Sequence, residues 1–142
     1  MPGPIPILIA SLFAMLTMAS PSMADTISDL KWQKRILVIF SDDAAALEAQ
    51  RREFLGDEAA LAERQMLVFA VTGSELQKIY GDIPEAETAE GLRERFEVSP
   101  ADPFTAILIG LDGGVKWRGN ELVQSATINA IIDAMPMRRA GR

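Results

Sequence analysis

The stretch FEVSPADPFTAILIGLDGGVKWRG, residues 96–119, decides the fold of this chain. Its centre, PFTAILIG at 103–110, is a continuous apolar run that begins with a proline and ends with a glycine, which predicts a buried β-strand. The next four residues, LDGG, contain the Asp-Gly pair that is typical of a tight hairpin turn. VKWRG at 115–119 is therefore predicted to return as a second strand, antiparallel to the first.

The predicted return strand alternates apolar and cationic side chains. Because successive side chains of a strand point to opposite faces, Val115 and Trp117 are expected on one face and Lys116 and Arg118 on the other. Charges on an edge strand prevent aggregation between sheets, which is one interpretation of the two cations. The other is that they belong to a patch that binds an anion or a partner protein.

Two apolar runs earlier in the chain predict further strands. RILVIF at 35–40 and MLVFAV at 66–71 are rich in branched side chains and too short for helices, as expected of parallel strands that are covered on both faces. The segment 41–56 between them begins with capping side chains and continues with Ala, Leu, Glu and Arg, which predicts a crossover helix. These three elements form a βαβ unit, whose crossover is expected to be right-handed.

The rest of the chain completes an α/β pattern. LRERF at 92–96 predicts a short second helix within the irregular segment 72–101, and a last helix is predicted from about residue 125 to about residue 135. The predicted order of elements is β-α-β-α-β-β-α. The predicted fold is a mixed four-stranded sheet with flanking helices.

The last helix is predicted from an apolar stripe. Ile128, Ile131, Ile132 and Met135 recur at positions i, i+3, i+4 and i+7, on one face of a helix. Burial of four such side chains contributes about 6–12 kcal/mol, which is comparable with the net stability of a whole domain. The helix is therefore expected to be integral to the core, Ile131→Asp is expected to unfold the domain, and Pro136 is expected to end the helix.

Two cations follow that proline. Arg138 and Arg139 come just after the C-terminus of the predicted helix, where positive charge interacts favourably with the helix dipole, and this position favours a structural clamp. The alternative is that they extend a basic patch with Lys116 and Arg118, in which case the patch binds an anion or docks a partner.

The N-terminal segment 1–24 has the composition of a secretory signal peptide. It contains no charged side chain, an apolar run at 5–19, and small residues before a cleavage point that is predicted after Ala24. The apolar run of about 15 residues is shorter than the roughly 20 that a membrane-spanning helix needs. We therefore expect a periplasmic or secreted domain, residues 25–142, without a stable membrane anchor.

The composition excludes several chemistries. The chain has no Cys and no His, so it can form neither a disulfide nor a thiolate nucleophile, and it cannot build a Ser-His triad or the usual zinc site. Its net charge of −6 argues against a nucleic-acid partner, because phosphate neutralisation needs a basic surface. We expect no cofactor and no metal, and the Asp112-Gly113 pair is interpreted as a turn because the alternating ligands of a calcium loop are absent.

Four segments together resemble a known family. LKWQKRILVIF, ERQMLVFAV, FTAILIGLDGGVKWR and IIDAMPMRR are similar to a thioredoxin-like family of unknown function, which occurs in exported bacterial proteins and as a domain of secreted sushi-repeat and matrix-associated animal proteins. The resemblance spans about 30–139. Two positions depart from the family pattern: Leu111 stands where Lys is usual, and Ala140-Gly141 replaces an acidic residue after the arginines.

The resemblance implies a thioredoxin-like fold without thioredoxin chemistry. A redox thioredoxin has its Cys-x-x-Cys motif between the first strand and the first helix, where this chain reads SDDAAA. Ser41, Asp42 and Asp43 are interpreted as helix caps, with a polar mouth or a cation site as the alternative. Pro103 is similar to the cis-proline that precedes the third strand of that fold, although a bond before proline is trans by default.

These observations leave two functional hypotheses. The favoured one is an exported, non-catalytic thioredoxin-like module that binds an unknown protein or small ligand. The alternative is a cysteine-independent enzyme of the hydrolase type that uses carboxylates of the irregular segment 72–101. Trp32 and Trp117 are predicted to cover the core or the sheet, and Tyr80 has no visible partner that would make it an acid or base.

Overall fold

The structure is a computed structural model, and it describes residues 26–136 and Gly3. The predicted signal peptide and its cleavage point, Gly3 apart, lie outside the described residues, as do Arg138 and Arg139. The elements in chain order are a 3₁₀-helix at Ile27–Leu30, β1 at Arg35–Phe40, α1 at Ala44–Leu55, α2 at Glu58–Glu63, β2 at Met66–Thr72, β3 at Glu75–Tyr80, α3 at Ala89–Phe96, β4 at Thr105–Ile109, β5 at Val115–Gly119 and α4 at Ser125–Asp133.

The strands form one mixed sheet in the order β3-β2-β1-β4-β5. β1 and β2 are parallel, with Arg35 opposite Met66, so the predicted βαβ unit is present. β4 is antiparallel to β1 and to β5, as the hairpin prediction requires. The sheet has five strands where four were expected, because the irregular segment contains the antiparallel edge strand β3. Its sequence, ELQKIY, buries only Ile79, which explains why hydropathy did not reveal it.

Two apolar cores cover the two faces of the sheet. Leu37 and Ile39 point into the core beneath α1, α2 and α4, whereas Ile36, Val38 and Phe40 point into the core beneath α3 and the 3₁₀-helix. β1 is buried at all six positions, which is the pattern expected of a central strand that is covered on both sides. The layers are therefore helix, sheet and helix.

A bulge changes the orientation of residues in β5. Trp117 lies opposite Leu108 while Val115 lies opposite Ile109, so Lys116 is an extra residue on the β5 side. Since Leu108 and Ile109 point to opposite faces, Val115 and Trp117 do so too, and the predicted shared face is wrong. Trp117 is half-buried against the first core, whereas Val115 is 52% exposed.

The last helix packs as its apolar stripe predicts. Ile128 and Ile132 are fully buried in the first core, and Ile131 and Met135 are partly buried against it. α4 ends at Asp133, two residues before the predicted end, so Pro136 is not part of α4.

A polar contact secures the end of α4. Asp133 accepts two hydrogen bonds from Arg64, Nη2 to Oδ2 at 2.8 Å and Nε to Oδ1 at 3.0 Å. These hydrogen bonds raise the pKa of the Arg64 guanidinium. They join the C-terminus of α4 to the residue that caps α2.

No helix within residues 26–136 combines the length and the hydropathy that crossing a membrane requires.

Candidate functional site

Two aspartates follow β1, at the position where a redox thioredoxin carries its cysteines. Asp43 is the N-cap of α1, and its Oδ1 accepts hydrogen bonds from the N–H groups of Ala45 and Ala46 at 2.9 and 3.2 Å. Asp42 Oδ1 accepts the N–H of Gly73 at 2.7 Å and so joins this end of the sheet to the β2–β3 turn. Both side chains hold the scaffold together, as the capping interpretation of Asp43 predicted.

Ser41 connects the same position to the loop before β4. Its buried hydroxyl donates to the carbonyl of Pro103 at 2.9 Å and accepts the N–H of Asp43 at 3.1 Å. The bond before Pro103 is trans, as are all described peptide bonds, so the likeness to a cis-proline does not extend to its geometry. The strand begins at Thr105, two residues later than predicted, since proline cannot donate to the ladder.

An open cleft of about 490 Å³ lies between the Pro103 loop and the end of β5. We call it the Pro103 cleft. It brings together two of the predicted site residues, Pro103 and Arg118, which are on different elements. Its lining residues are Asp102, Pro103, Phe104, Thr105, Arg118, Gly119 and Asn120.

Arg118 is the cation of the Pro103 cleft. Its Nη1 donates to the carbonyl of Phe96 at 2.7 Å and its Nη2 donates to the carbonyl of Glu97 at 3.3 Å, so the guanidinium caps the C-terminus of α3. A cation there interacts favourably with the helix dipole. Among residues 26–136 no carboxylate forms a salt bridge with Arg118, so its charge is offset only by backbone dipoles.

Lys116 is engaged at the other end of β5, at the hairpin turn. Its Nζ donates to Asp112 Oδ2 at 2.7 Å, while Asp112 Oδ1 accepts the N–H of Gly114 at 2.9 Å. Gly113 has a φ of 80°, a backbone conformation that favours glycine. The predicted turn is present, with Asp112 holding it closed.

The hairpin turn should give the carboxyl of Asp112 an unusual titration. The hydrogen bond from Lys116 and then the one from Gly114 lower its pKa. A lowered folded-state pKa contributes stability above the unfolded value, and this contribution is lost as pH falls through the folded value. In Lys116→Gln we expect the NMR midpoint of Asp112 to rise toward its ordinary value, with the Gly114 N–H keeping it partly depressed. An unchanged midpoint would show that Lys116 does not control this carboxyl.

Trp32 is not where the sequence predicted it. Trp117 covers the first core as expected, but Trp32 is 59% exposed and belongs to neither core. It lies in the turn between the 3₁₀-helix and β1, with a φ of 68°, and its N–H donates to the carbonyl of Leu111 at 2.6 Å. The prediction that Trp32 is buried is wrong because this turn places the indole in solvent.

One family model matches most of the chain and leaves the activity open. Residues 26–141 match the family described as Domain of unknown function (DUF4174). The chain belongs to this family. No curated protein matches the sequence of this DUF4174 domain.

Solved structures support the fold class. The DUF4174 chain is similar to a reduced 2-Cys peroxiredoxin of Plasmodium vivax, with a TM-score of 0.57 and 15% identity over 80% of this chain and 84% of the other. It is also similar to the mitochondrial 2-Cys peroxiredoxin of Plasmodium falciparum, with a TM-score of 0.56 and 13% identity over 82% and 84%. Peroxiredoxins have the thioredoxin fold, so the predicted α/β, thioredoxin-like class is confirmed.

The DUF4174 domain has a second cleft of about 580 Å³ beside α3. Glu90 and Glu94, one helical turn apart, both line it. Two other carboxylates of the segment 72–101 are engaged within the scaffold, because Asp82 pairs with Lys78 at 3.2 Å and Glu87 accepts the N–H of Ile27 at 2.9 Å. We call it the α3 cleft, and its lining residues are Gly73, Ser74, Thr88, Ala89, Glu90, Arg93, Glu94, Val98 and Pro100.

Acidic side chains do not assemble into a metal site in the part of the chain that the structure describes. No three of them between residues 26 and 136 are placed so that they could share an ion. Asp42 and Asp43 bind backbone N–H groups of different segments, Gly73 for the first and α1 for the second. These hydrogen bonds explain the positions of both carboxylates.

Proposed function

We propose that this DUF4174 domain is an exported, non-catalytic module that binds a protein or a small ligand. The observation that carries the proposal is the structural role of Ser41, Asp42 and Asp43. All three side chains at the position of a thioredoxin redox centre make hydrogen bonds to the scaffold, and the chain has no cysteine. The fold is thus retained while the reactive groups are absent, which is the arrangement expected of a binding scaffold.

The Pro103 cleft supports a binding role. It is open to solvent and has polar and apolar walls, and Arg118 supplies a charge that no carboxylate of residues 26–136 neutralises. A guanidinium in a cleft suits a carboxylate or another planar anion, because it donates in a fixed fork. The apolar, uncharged segment 1–24 and the family resemblance support export, and an exported domain would be periplasmic or secreted.

The proposal predicts that binding depends on basic side chains and that the domain turns over no substrate. Affinity capture from a periplasmic or secreted extract should enrich a partner with the parent protein, and neutralising Lys116, Arg118, Arg138 and Arg139 should reduce that enrichment at least about tenfold. Arg118→Gln alone should account for most of the loss. Arg52→Gln, which removes an exposed cation of α1 that pairs with Glu48, is the matched control and should leave capture unchanged.

Two results contradict this proposal. Equal capture by the parent and by the variant with four neutralised cations would exclude the basic residues from binding. Insulin reduction or peroxide turnover above the buffer blank would exclude a non-catalytic role. Melting temperatures of all variants, measured beside the capture, separate loss of binding from loss of folding.

The α3 cleft supports a second candidate, a hydrolase without cysteine. Its two carboxylates, on Glu90 and Glu94, are on one face of α3 beside apolar walls, and such pairs can provide a general acid and a general base. A panel of chromogenic ester and glycoside substrates tests this function. Activity that disappears in Glu90→Gln and Glu94→Gln favours the hydrolase, whereas equal activity in both variants and the parent rejects it.

A further inference from the structure

We propose that the end of the sheet beside the β4–β5 hairpin binds an acidic segment of a partner protein. This inference rests on the proposed binding function, and it names a site for that function and the chemistry of the partner. We call the site the hairpin-end surface. It consists of Lys31, Trp32, Lys34, Val115 and Lys116, all of which are exposed.

Trp32 is the residue that first indicates a binding site here. Its φ of 68° lies in the left-handed region, which bulky side chains rarely adopt, and its indole packs in neither core. The hydrogen bond from its N–H to the carbonyl of Leu111 holds this backbone in place. An aromatic side chain that is kept in solvent at the expense of backbone strain is explained by a role in binding, since tryptophan is enriched among the residues that dominate interfaces.

The hairpin contributes an exposed apolar side chain to the hairpin-end surface, and a lysine of the Trp32 turn packs against the hairpin. Val115 begins β5 and is 52% exposed. A Cβ added at Gly113 would stand 3.4 Å from Lys31 Cε, so the side chain of Lys31 lies across the hairpin turn. Contacts with Leu111 and Gly113 thus join the Trp32 turn to the hairpin turn that leads into β5, although the two segments are far apart in the sequence.

Charge selects the kind of partner. Lys31 and Lys34 have no salt-bridge partner among residues 26–136, whereas Lys116 is paired with Asp112. The chain has a net charge of −6, so its surface as a whole repels an acidic partner. A local excess of cations therefore orients such a partner toward the hairpin-end surface. An apolar residue of that partner would contact Trp32 and Val115.

A lipid surface fits these residues less well than a peptide does. Recognition of anionic membranes uses clusters of roughly 4–8 lysines and arginines, because each contributes only about one kcal/mol near the surface. The hairpin-end surface offers two unpaired lysines, and the net charge of the chain opposes adsorption to an anionic bilayer. A short acidic segment needs only a few charges and one aromatic contact.

The test titrates the full-length chain, labelled with nitrogen-15, with a short synthetic peptide of alternating Glu and Leu. One of the two indole N–H resonances should shift, and it should be the one that is missing from Trp32→Gly. Affinity should fall at least about tenfold in Trp32→Gly and severalfold in Lys31→Gln. Leu122→Ala and Lys78→Gln, which remove an exposed apolar side chain and a lysine elsewhere, are the controls and should bind like the parent.

Loss of binding in Trp32→Gly is not expected to come from unfolding. Glycine adopts a φ of 68° without strain, so the melting temperature of Trp32→Gly should be at or above that of the parent. The inference is wrong if the peptide does not bind, if Trp32→Gly binds as the parent does, or if a peptide with Lys in place of Glu binds equally well. Binding to anionic vesicles in place of the peptide would also overturn it.

The two proposals can fail separately. If the peptide does not bind but capture still enriches a partner through Arg118, the hairpin-end inference is wrong and the proposed binding function stands. If the peptide binds and capture is insensitive to Arg118, the hairpin-end inference stands and the Pro103 cleft is not the site. If neither experiment detects binding, both proposals are wrong.

Discussion

Ile132→Asp is expected to leave the domain unfolded at room temperature. Ile132 lies on α4 and is fully buried among the apolar side chains of the first core. The change removes about 1.5–3 kcal/mol of apolar burial and places an unpaired carboxylate in an apolar environment, which costs several kcal/mol more. Together these losses approach the whole stability of a domain, about 5–15 kcal/mol.

Circular dichroism and thermal melting test this expectation. Ala130→Asp adds the same charge at an exposed position of the same helix and is expected to melt within a few degrees of the parent. Ile131 was expected from the sequence to be the critical position, but it is only partly buried, so the effect of Ile131→Asp should fall between the other two. The order of effects along the helix is therefore Ile132, Ile131, Ala130, and a folded Ile132→Asp would contradict the packing of α4.

Gln50→Leu is expected to destabilise the domain by about 2–6 kcal/mol. The Gln50 amide is buried on α1, where its Nε2 donates to the carbonyl of Val123 at 2.9 Å and its Oε1 accepts the N–H of Val123 at 2.8 Å. Leucine has a similar size but leaves both backbone groups without a partner. Each such group costs about 1–3 kcal/mol when it stays buried.

Denaturant unfolding and hydrogen exchange measure this effect. Exchange protection of the Val123 amide should disappear in Gln50→Leu while the amides of β1 keep theirs, because the loss is local to the segment before α4. Gln124→Leu is the matched control, since Gln124 is exposed and its side chain makes no capping hydrogen bond. Equal midpoints for Gln50→Leu and the parent would show that the paired hydrogen bonds contribute no stability.

The candidate sites were only partly predictable. Lys116 and Arg118 are prominent in the sequence as cations in a short strand, and the structure places both on β5. Their partners were not predictable, because Arg118 binds carbonyls of α3 and Lys116 binds Asp112 across a bulge. Trp32 was assigned to the core because large aromatic side chains are usually buried, and only the left-handed turn places it in solvent.

The strand β3 and the Gln50 contact escaped prediction for related reasons. An edge strand that buries a single apolar side chain has almost no hydropathy signal of its own. A buried glutamine in a helix of Ala, Leu, Glu and Arg looks like any surface residue until its partner is known. That partner is 73 residues away in the sequence.

By itself the sequence determined the central strands, the βαβ unit, the hairpin, the apolar stripe of α4 and the absence of thiol chemistry. Each of these depends on residue types or on a periodicity within a short segment, because the spacing of apolar residues along an element indicates which face is buried. Tertiary structure alone decided the fifth strand, the bulge at Lys116, the cleft that joins Pro103 to Arg118 and the exposure of Trp32. These features depend on which distant segments meet, as when Ser41 binds Pro103 across 62 residues, and no local pattern encodes such a meeting.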